Sequence, residues 1–176
     1  MFDTNNCSVR WPQSVSLNRC VLQTLLALAL VACAQPDGQL RQADGREQSF
    51  NYAQWDGQWL LINYWAEWCG PCRHEIPELN RLNERPDVQV LGVNFDGLRG
   101  AKLAAVAEKM AVAFPTLLTD PGERFAVARP SVLPVTLLIG PDGALRETLR
   151  GPQTEASILS ALTVDVPAAG PTPAEA

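Results

Sequence analysis

Apolar and polar positions alternate along this chain with a period that changes several times, and each change marks an element. Val21–Ala32 is an apolar run without a polar face. Gln39–Ala43 and Glu47–Phe50 flank Asp44-Gly45, the pattern of two short strands and a hairpin turn. Trp59–Trp65 (WLLINYW) is a nearly unbroken apolar run, as in a central strand buried on both faces. The period then lengthens: Ile76, Leu79 and Leu82 fall at helical spacing between Pro71 and about Asn83, and Pro86-Asp87 ends the segment. Val88–Phe95 reads as the next strand and Ala101–Val112 as the next helix. Thr116–Leu118 reads as a short strand and Glu123–Ala128 as a helical turn. Val135–Ile139 and Leu145–Leu149 are strands joined across the turn Pro141-Asp142-Gly143, and Thr154–Leu162 is a last helix.

The order is β-α-β-α-β-β-α behind a short hairpin. Its alternating part implies parallel pairing with right-handed crossovers, and the late hairpin adds antiparallel pairing. The expected product is an α/β domain with a central mixed β-sheet flanked by helices on both faces. Residues 39–163 hold this domain. Residues 164–176, with Pro167, Pro171 and Pro173, read as a disordered Pro/Ala-rich tail.

The N-terminal run has a different meaning. Arg10 and Arg19 precede it and small residues close it. Twelve residues span only ~18 Å as a helix, short of a bilayer core of ~30 Å, so residues 1–32 read as a secretory signal. An initiation at Val15 would give that signal an ordinary length. The alternative is a buried N-terminal helix. Cleavage before Cys33 removes two basic and one acidic side chain and takes the net charge from −5 to −6. No basic stripe is available for nucleic acid.

The chain has five cysteines, at 7, 20, 33, 69 and 72. The first two leave with the signal. Cys69 and Cys72 enclose two residues, too small a loop for a bridge between them to stabilise a fold much, so the pair calls for a chemical explanation. A structural zinc site needs four ligands, whereas the chain offers one histidine, His74, and no second cysteine pair, so no metal is expected.

Trp68-Cys69-Gly70-Pro71-Cys72 follows a buried strand and opens a helix. Unpaired N–H groups and the macrodipole at a helix N-terminus stabilise a thiolate on the first cysteine. The second lies one turn on, placed to resolve a mixed disulfide. Pro71 fits the first turn, where its missing N–H is no loss.

With these residues in view, the chain resembles a known family. Ala66–Arg73 (AEWCGPCR) is similar to the thioredoxin active-site segment. The export signal, Arg73-His74-Glu75-Ile76-Pro77 and the late Pro134 resemble the TlpA/ResA-like branch of thiol–disulfide oxidoreductases, over roughly Gln39 to Leu162. The resemblance implies a thioredoxin-like fold, a cis Leu133–Pro134 bond facing the cysteines, and substrate contacts from Trp68, Gly70, Pro71, Leu133 and Pro134. A trans proline opening an edge strand is the plain alternative. Glu75 aligns with an acidic residue that the family places near its cysteines. Cys69, Cys72 and Glu75 are therefore the candidate catalytic residues, although a solvated carboxylate favoured by the helix dipole would equally explain Glu75. Asn63 stands where cytoplasmic thioredoxins carry a buried aspartate. It cannot titrate, so proton handling would fall to Glu75, water or substrate. Trp65 is expected in the core, His74 exposed, and Glu67 exposed or in a functional position.

Leu30-Val31-Ala32-Cys33 resembles a bacterial lipobox, which implies lipidation of Cys33 and a tether over 33–38; an ordinary signal ending near a cysteine is the alternative. Ala34 favours the outer membrane by the family's sorting rule. The expected function is a periplasm-facing reductase of disulfides in exported proteins, with apocytochrome c or copper-chaperone cysteines among the possible targets. It needs no cofactor beyond its own cysteine pair, takes electrons from a membrane donor, is held to the membrane by lipid and is monomeric. A disulfide oxidase or isomerase on the same fold and a dithiol metal carrier remain open.

Overall fold

The computed structural model describes residues 35–164. The chain divides into two units, Met1–Gln35 and Pro36–Ala176, and the fold belongs to the second. The expected signal segment, Cys33 and residues 165–176 lie outside the described residues.

Seven strands form one mixed sheet in the order β2-β1-β5-β4-β3-β6-β7. They are β1 (Gly38–Arg41), β2 (Glu47–Phe50), β3 (Trp59–Trp65), β4 (Val88–Asn94), β5 (Thr116–Leu117), β6 (Val135–Ile139) and β7 (Leu145–Arg150). The α-helices among the described residues are α1 (Gly70–Asn83), α2 (Gly100–Lys109) and α3 (Glu155–Val164). β3, β4 and β5 run parallel through the α1 and α2 crossovers, while β6 lies antiparallel to β3 and β7 antiparallel to β6. The early hairpin joins the sheet through β1, which pairs antiparallel with β5.

Alternation along the strands sorts the core into two layers. Leu61 and Trp65 of β3, Val88 and Val90 of β4 and Leu138 of β6 face one way. Against them pack Ile76, Leu79 and Leu82 of α1, Leu103 of α2, and Ile158 and Leu162 of α3. Leu60, Ile62 and Tyr64, with Leu91, Val93, Val135, Leu137 and Ile139, face the other way. This second face is covered by Tyr52 and Trp55 of a short 3-10 helix, Tyr52–Trp55, and by Phe125 and Val127. The helical cover expected on both faces is thus unequal: α-helices on one side, one 3-10 turn and a long loop on the other.

The helical turn expected at Glu123–Ala128 is a single turn: the Phe125 N–H reaches Pro121 O, and the Ala126 and Val127 N–H groups close it on Glu123 O and Gly122 O. Phe125 and Val127 both reach the sheet, a two-residue spacing that no helix presents on one side, and Ala126 turns left-handed at φ 53°. Helix α2 also stops before the expected Val112. Ala111 takes φ 56°, its N–H reaches Glu108 O, and the Val112 N–H reaches Ala107 O, a Schellman ending built on alanine rather than glycine. Asn80 of α1 holds that ending, donating to Ala111 O at 2.8 Å and accepting from Ala113 N at 2.9 Å. Thr154 caps α3: the Ser157 N–H reaches its Oγ1 at 3.1 Å, and its own N–H reaches Ser157 Oγ at 2.9 Å.

Gly92 of β4 sits beside Asn63 of β3 in the parallel register. A Cβ at Gly92 would stand 2.7 Å from Trp65 Nε1 and 3.0 Å from the Phe114 ring, so the absent side chain makes room for the Trp65 indole in the core.

Candidate active site: a disulfide beside a buried carboxyl

Strand β3 ends at Trp65, and three residues later the chain enters α1. Cys69 is the N-cap, with extended backbone (φ −81°, ψ 98°), and Pro71 lies in the first turn. Cys69 and Cys72 form a disulfide, and both are buried. The Cys72 N–H donates to Cys69 Sγ at 3.2 Å, so the first cysteine uses its sulfur as the helix cap. After reduction the same N–H faces the developing thiolate, the sign of charge that a helix start favours.

The Leu133–Pro134 bond is cis, as the resemblance implied, and Pro134 opens β6 with its carbonyl accepting from Gly151 N at 3.0 Å. Leu133 is half-buried and Pro134 buried, while Gly70 and Pro71 are exposed on the first turn of α1. Trp68 is 64% exposed, unusual for so large an apolar side chain, yet its position is fixed. Its indole Nε1 donates to Asp96 at 3.0 Å and its ring meets Phe95 edge-on at 6.0 Å. Arg129 lies over the Phe95 ring at 4.2 Å and donates to the Phe95 carbonyl. Val132, next to Leu133, is the other large exposed apolar residue among those described. Glu67 is half-exposed and pairs with Lys109 at 2.6 Å, which holds its carboxyl below the usual carboxylate range. His74 is exposed and Trp65 is fully buried, both as expected.

Glu75 departs from the picture of a solvated carboxylate: it is 1% exposed. It lies three residues after Cys72, on the same face of α1. Asn63 and Thr136, paired directly across β3 and β6, point toward it from the sheet. Asn63 Nδ2 donates to Thr136 Oγ1 at 2.9 Å and to Glu75 Oε1 at 3.1 Å, and Thr136 Oγ1 donates to the same oxygen at 3.0 Å. Oε2 has no hydrogen-bond partner of normal geometry. Burial pushes the Glu75 carboxyl up to about 7, and the Thr136 hydroxyl and the nearby Gln153 backbone N–H only partly offset it. The residue that keeps the thioredoxin strand position without its charge, Asn63, is thus a hydrogen-bonded polar residue within the strand.

Thr136 was missed at the level of sequence. Its signal was present, since a lone hydroxyl inside VTLLI must find a partner when that strand is buried. The supports of Trp68 from Asp96, Phe95 and Arg129 left no such trace, because they join loops distant in sequence.

A reducible pair at a strand–helix junction, with a cis-proline at the start of β6, on a sheet of this order, defines a thioredoxin-fold thiol–disulfide oxidoreductase. The chain belongs to the AhpC/TSA family, whose model matches residues 31–148. It is 28% identical over 131 residues to the thiol-disulfide oxidoreductase ResA of Geobacillus thermodenitrificans, covering 73% of this chain and 74% of that one. It is 32% identical over 101 residues to the thiol:disulfide interchange protein HelX of Rhodobacter capsulatus, covering 57% and 56%. Among solved structures, StoA from Bacillus subtilis shares the fold with a TM-score of 0.53 at 22% identity, over 71% of this chain and 94% of that one.

Proposed function

We propose that this oxidoreductase works as a reductase of disulfides in exported proteins, on the periplasmic side of a membrane to which Cys33 is lipid-anchored. In the productive step Cys69 thiolate attacks a substrate disulfide, forms the Cys69–substrate bond and expels the other substrate sulfur as thiolate. Cys72 then yields its proton to Glu75 and attacks Cys69. The Cys69–substrate bond breaks, and its electron pair leaves with the second substrate sulfur, which takes up a proton. The substrate gains two electrons, the protein becomes the Cys69–Cys72 disulfide, and a membrane donor must return two electrons. Trp68, Gly70, Pro71, Leu133 and Pro134 form the substrate-facing rim, with Leu133 backbone groups free to pair with an extended segment.

The observation that carries the proton step is the burial of Glu75 one turn after Cys72, with a carboxyl that changes charge near neutral pH. Direction rests on Gly70-Pro71 between the cysteines, the pair found in thioredoxin rather than in strong oxidants. Cysteine pairs of exported apocytochrome c or copper chaperones are the substrates the resemblance favours. Equilibration with glutathione buffers tests direction. A midpoint nearer roughly −270 mV than roughly −120 mV supports a reductase, and one near the latter value indicates an oxidase.

A further inference from the structure

We infer that Asn63 and Thr136 are positioning residues: together they clamp Oε1 of Glu75 and so reserve Oε2 as the atom that takes the Cys72 proton. This rests on Glu75 serving as the proton acceptor, and it specifies how the fold makes it one. The three groups close a ring in which every donor is used. The two hydrogens of Asn63 Nδ2 go to Thr136 Oγ1 and Glu75 Oε1, and the Thr136 hydroxyl goes to Glu75 Oε1, at 2.9, 3.1 and 3.0 Å. Oε1 then faces two donors and has no room for a proton of its own on that side. Oε2 is buried and has no hydrogen-bond partner of normal geometry, with the Gln153 N–H approaching the carboxyl only loosely, so a proton arriving at Glu75 resides there.

The clamp also explains why an asparagine suits the β3 position. An aspartate at 63 would set a second carboxylate against Glu75, and like charges at such range cannot both ionise. Asparagine instead donates once to Glu75 and once to the Thr136 hydroxyl that itself donates to Glu75, and both bonds favour the Glu75 anion. Thr136 belongs to the strand that Pro134 opens, so the clamp ties the proton acceptor to the same β6 segment that carries the substrate-facing cis-proline.

Beside burial, the clamp and the Gln153 N–H are the local influences on the Glu75 carboxyl. On α1, Cys72 lies one turn before Glu75, while Arg73 and His74 are exposed and Glu78 is turned to Arg81 at 2.5 Å. β3 and β6 present Asn63 and Thr136, neither of which titrates. The β7–α3 loop presents the Gln153 backbone, and Glu155 at the start of α3 is paired with Arg81 at 3.1 Å.

The test follows the Glu75 carboxyl by carbon NMR in the oxidised protein, and the resolution rate of a Cys69 mixed disulfide against pH. Thr136→Val removes one donor to Oε1 and should move both midpoints upward by about one pH unit, slowing resolution at pH 7 several-fold, with Thr136→Ser restoring the parent values. Asn63→Leu removes the other donor and should act in the same direction, which keeps the test available if one variant folds poorly. Midpoints unmoved in both donor variants, with Glu75→Gln still abolishing the inflection in rate, would overturn the clamp and leave Glu75 as acceptor. An inflection that persists in Glu75→Gln would overturn both.

Discussion

Asn63 and Tyr64 are consecutive residues of β3, and the strand sends them to opposite faces of the sheet. Each ends on an acidic side chain. Asn63 meets Glu75 beneath α1 at 3.1 Å, and Tyr64 meets Asp120 in the loop after β5 at 2.6 Å. The two acids then diverge. Asp120 is exposed, and it also accepts from Gly122 N at 2.9 Å. Glu75 is sealed under the α-helical layer, and burial outweighs the hydrogen bonds it accepts. The contrast lies in the covering layer: each acid is hydrogen-bonded to a β3 residue, and of the two only Glu75 is buried. On the Tyr64 side it is the phenol that is affected: burial, then the bond to Asp120, pushes its ionisation well above the usual tyrosine range.

The comparison can be sharpened at several levels. The largest effect belongs to the cysteines themselves. Cys69→Ser should leave no measurable disulfide exchange, whereas Cys72→Ser should accumulate mixed disulfides on Cys69, seen on non-reducing gels and by mass spectrometry. Next comes stability against pH. The Glu75 proton is bound more tightly in the folded chain than in the unfolded one, so its stabilisation is complete below the ordinary glutamate range. It is lost as pH rises from about 4.5 through about 7. A shift of that size corresponds to about 3 kcal/mol. Urea unfolding of the oxidised protein should show this loss, and Glu75→Gln should remove it, leaving the variant the more stable of the two above pH 7. If the two proteins kept parallel pH profiles, the carboxyl would not be titrating in the fold.

Trp68 lies at the mouth rather than on either face. Trp68→Ala should lower the second-order rate with a protein disulfide by about tenfold, the scale of one exposed aromatic anchor, while a small aromatic disulfide reacts nearly as before. The smallest effect falls on the loop side. Tyr64→Phe should cost about 1 kcal/mol of stability in urea titration, the scale of one hydrogen bond, with no change in exchange rate. A rate loss there would erase the distinction between the two faces.

Much of the molecule could be read from the chain. β3 announced itself as a continuous apolar run and α1 by Ile76, Leu79 and Leu82, because burial on two faces and on one stripe leave different periods. The cysteine pair stood out by spacing and by its place at the junction between them. What escaped reading depends on contacts between segments far apart in sequence. The single helical turn through Phe125 stops at a left-handed Ala126, so that Phe125 and Val127 both reach the sheet beneath. Ala111 ends α2 in a left-handed conformation that local composition gives no reason to expect. Glu75 looked like either a surface carboxylate or a functional one, and only the register that sets Asn63 against Thr136 shows it to be covered on the sheet side.

The most direct measurement is the rate at which Cys72 resolves a preformed Cys69 mixed disulfide, followed by stopped flow from pH 5 to 9 in the parent and in Glu75→Gln. Glu75 must be deprotonated to accept the Cys72 proton, so the parent rate should climb through neutral pH and level off. The variant should be slower by about a hundredfold at pH 7 and rise only toward the ordinary thiol range of about 8.5. Superimposable profiles for the two proteins would contradict the assignment of the proton to Glu75.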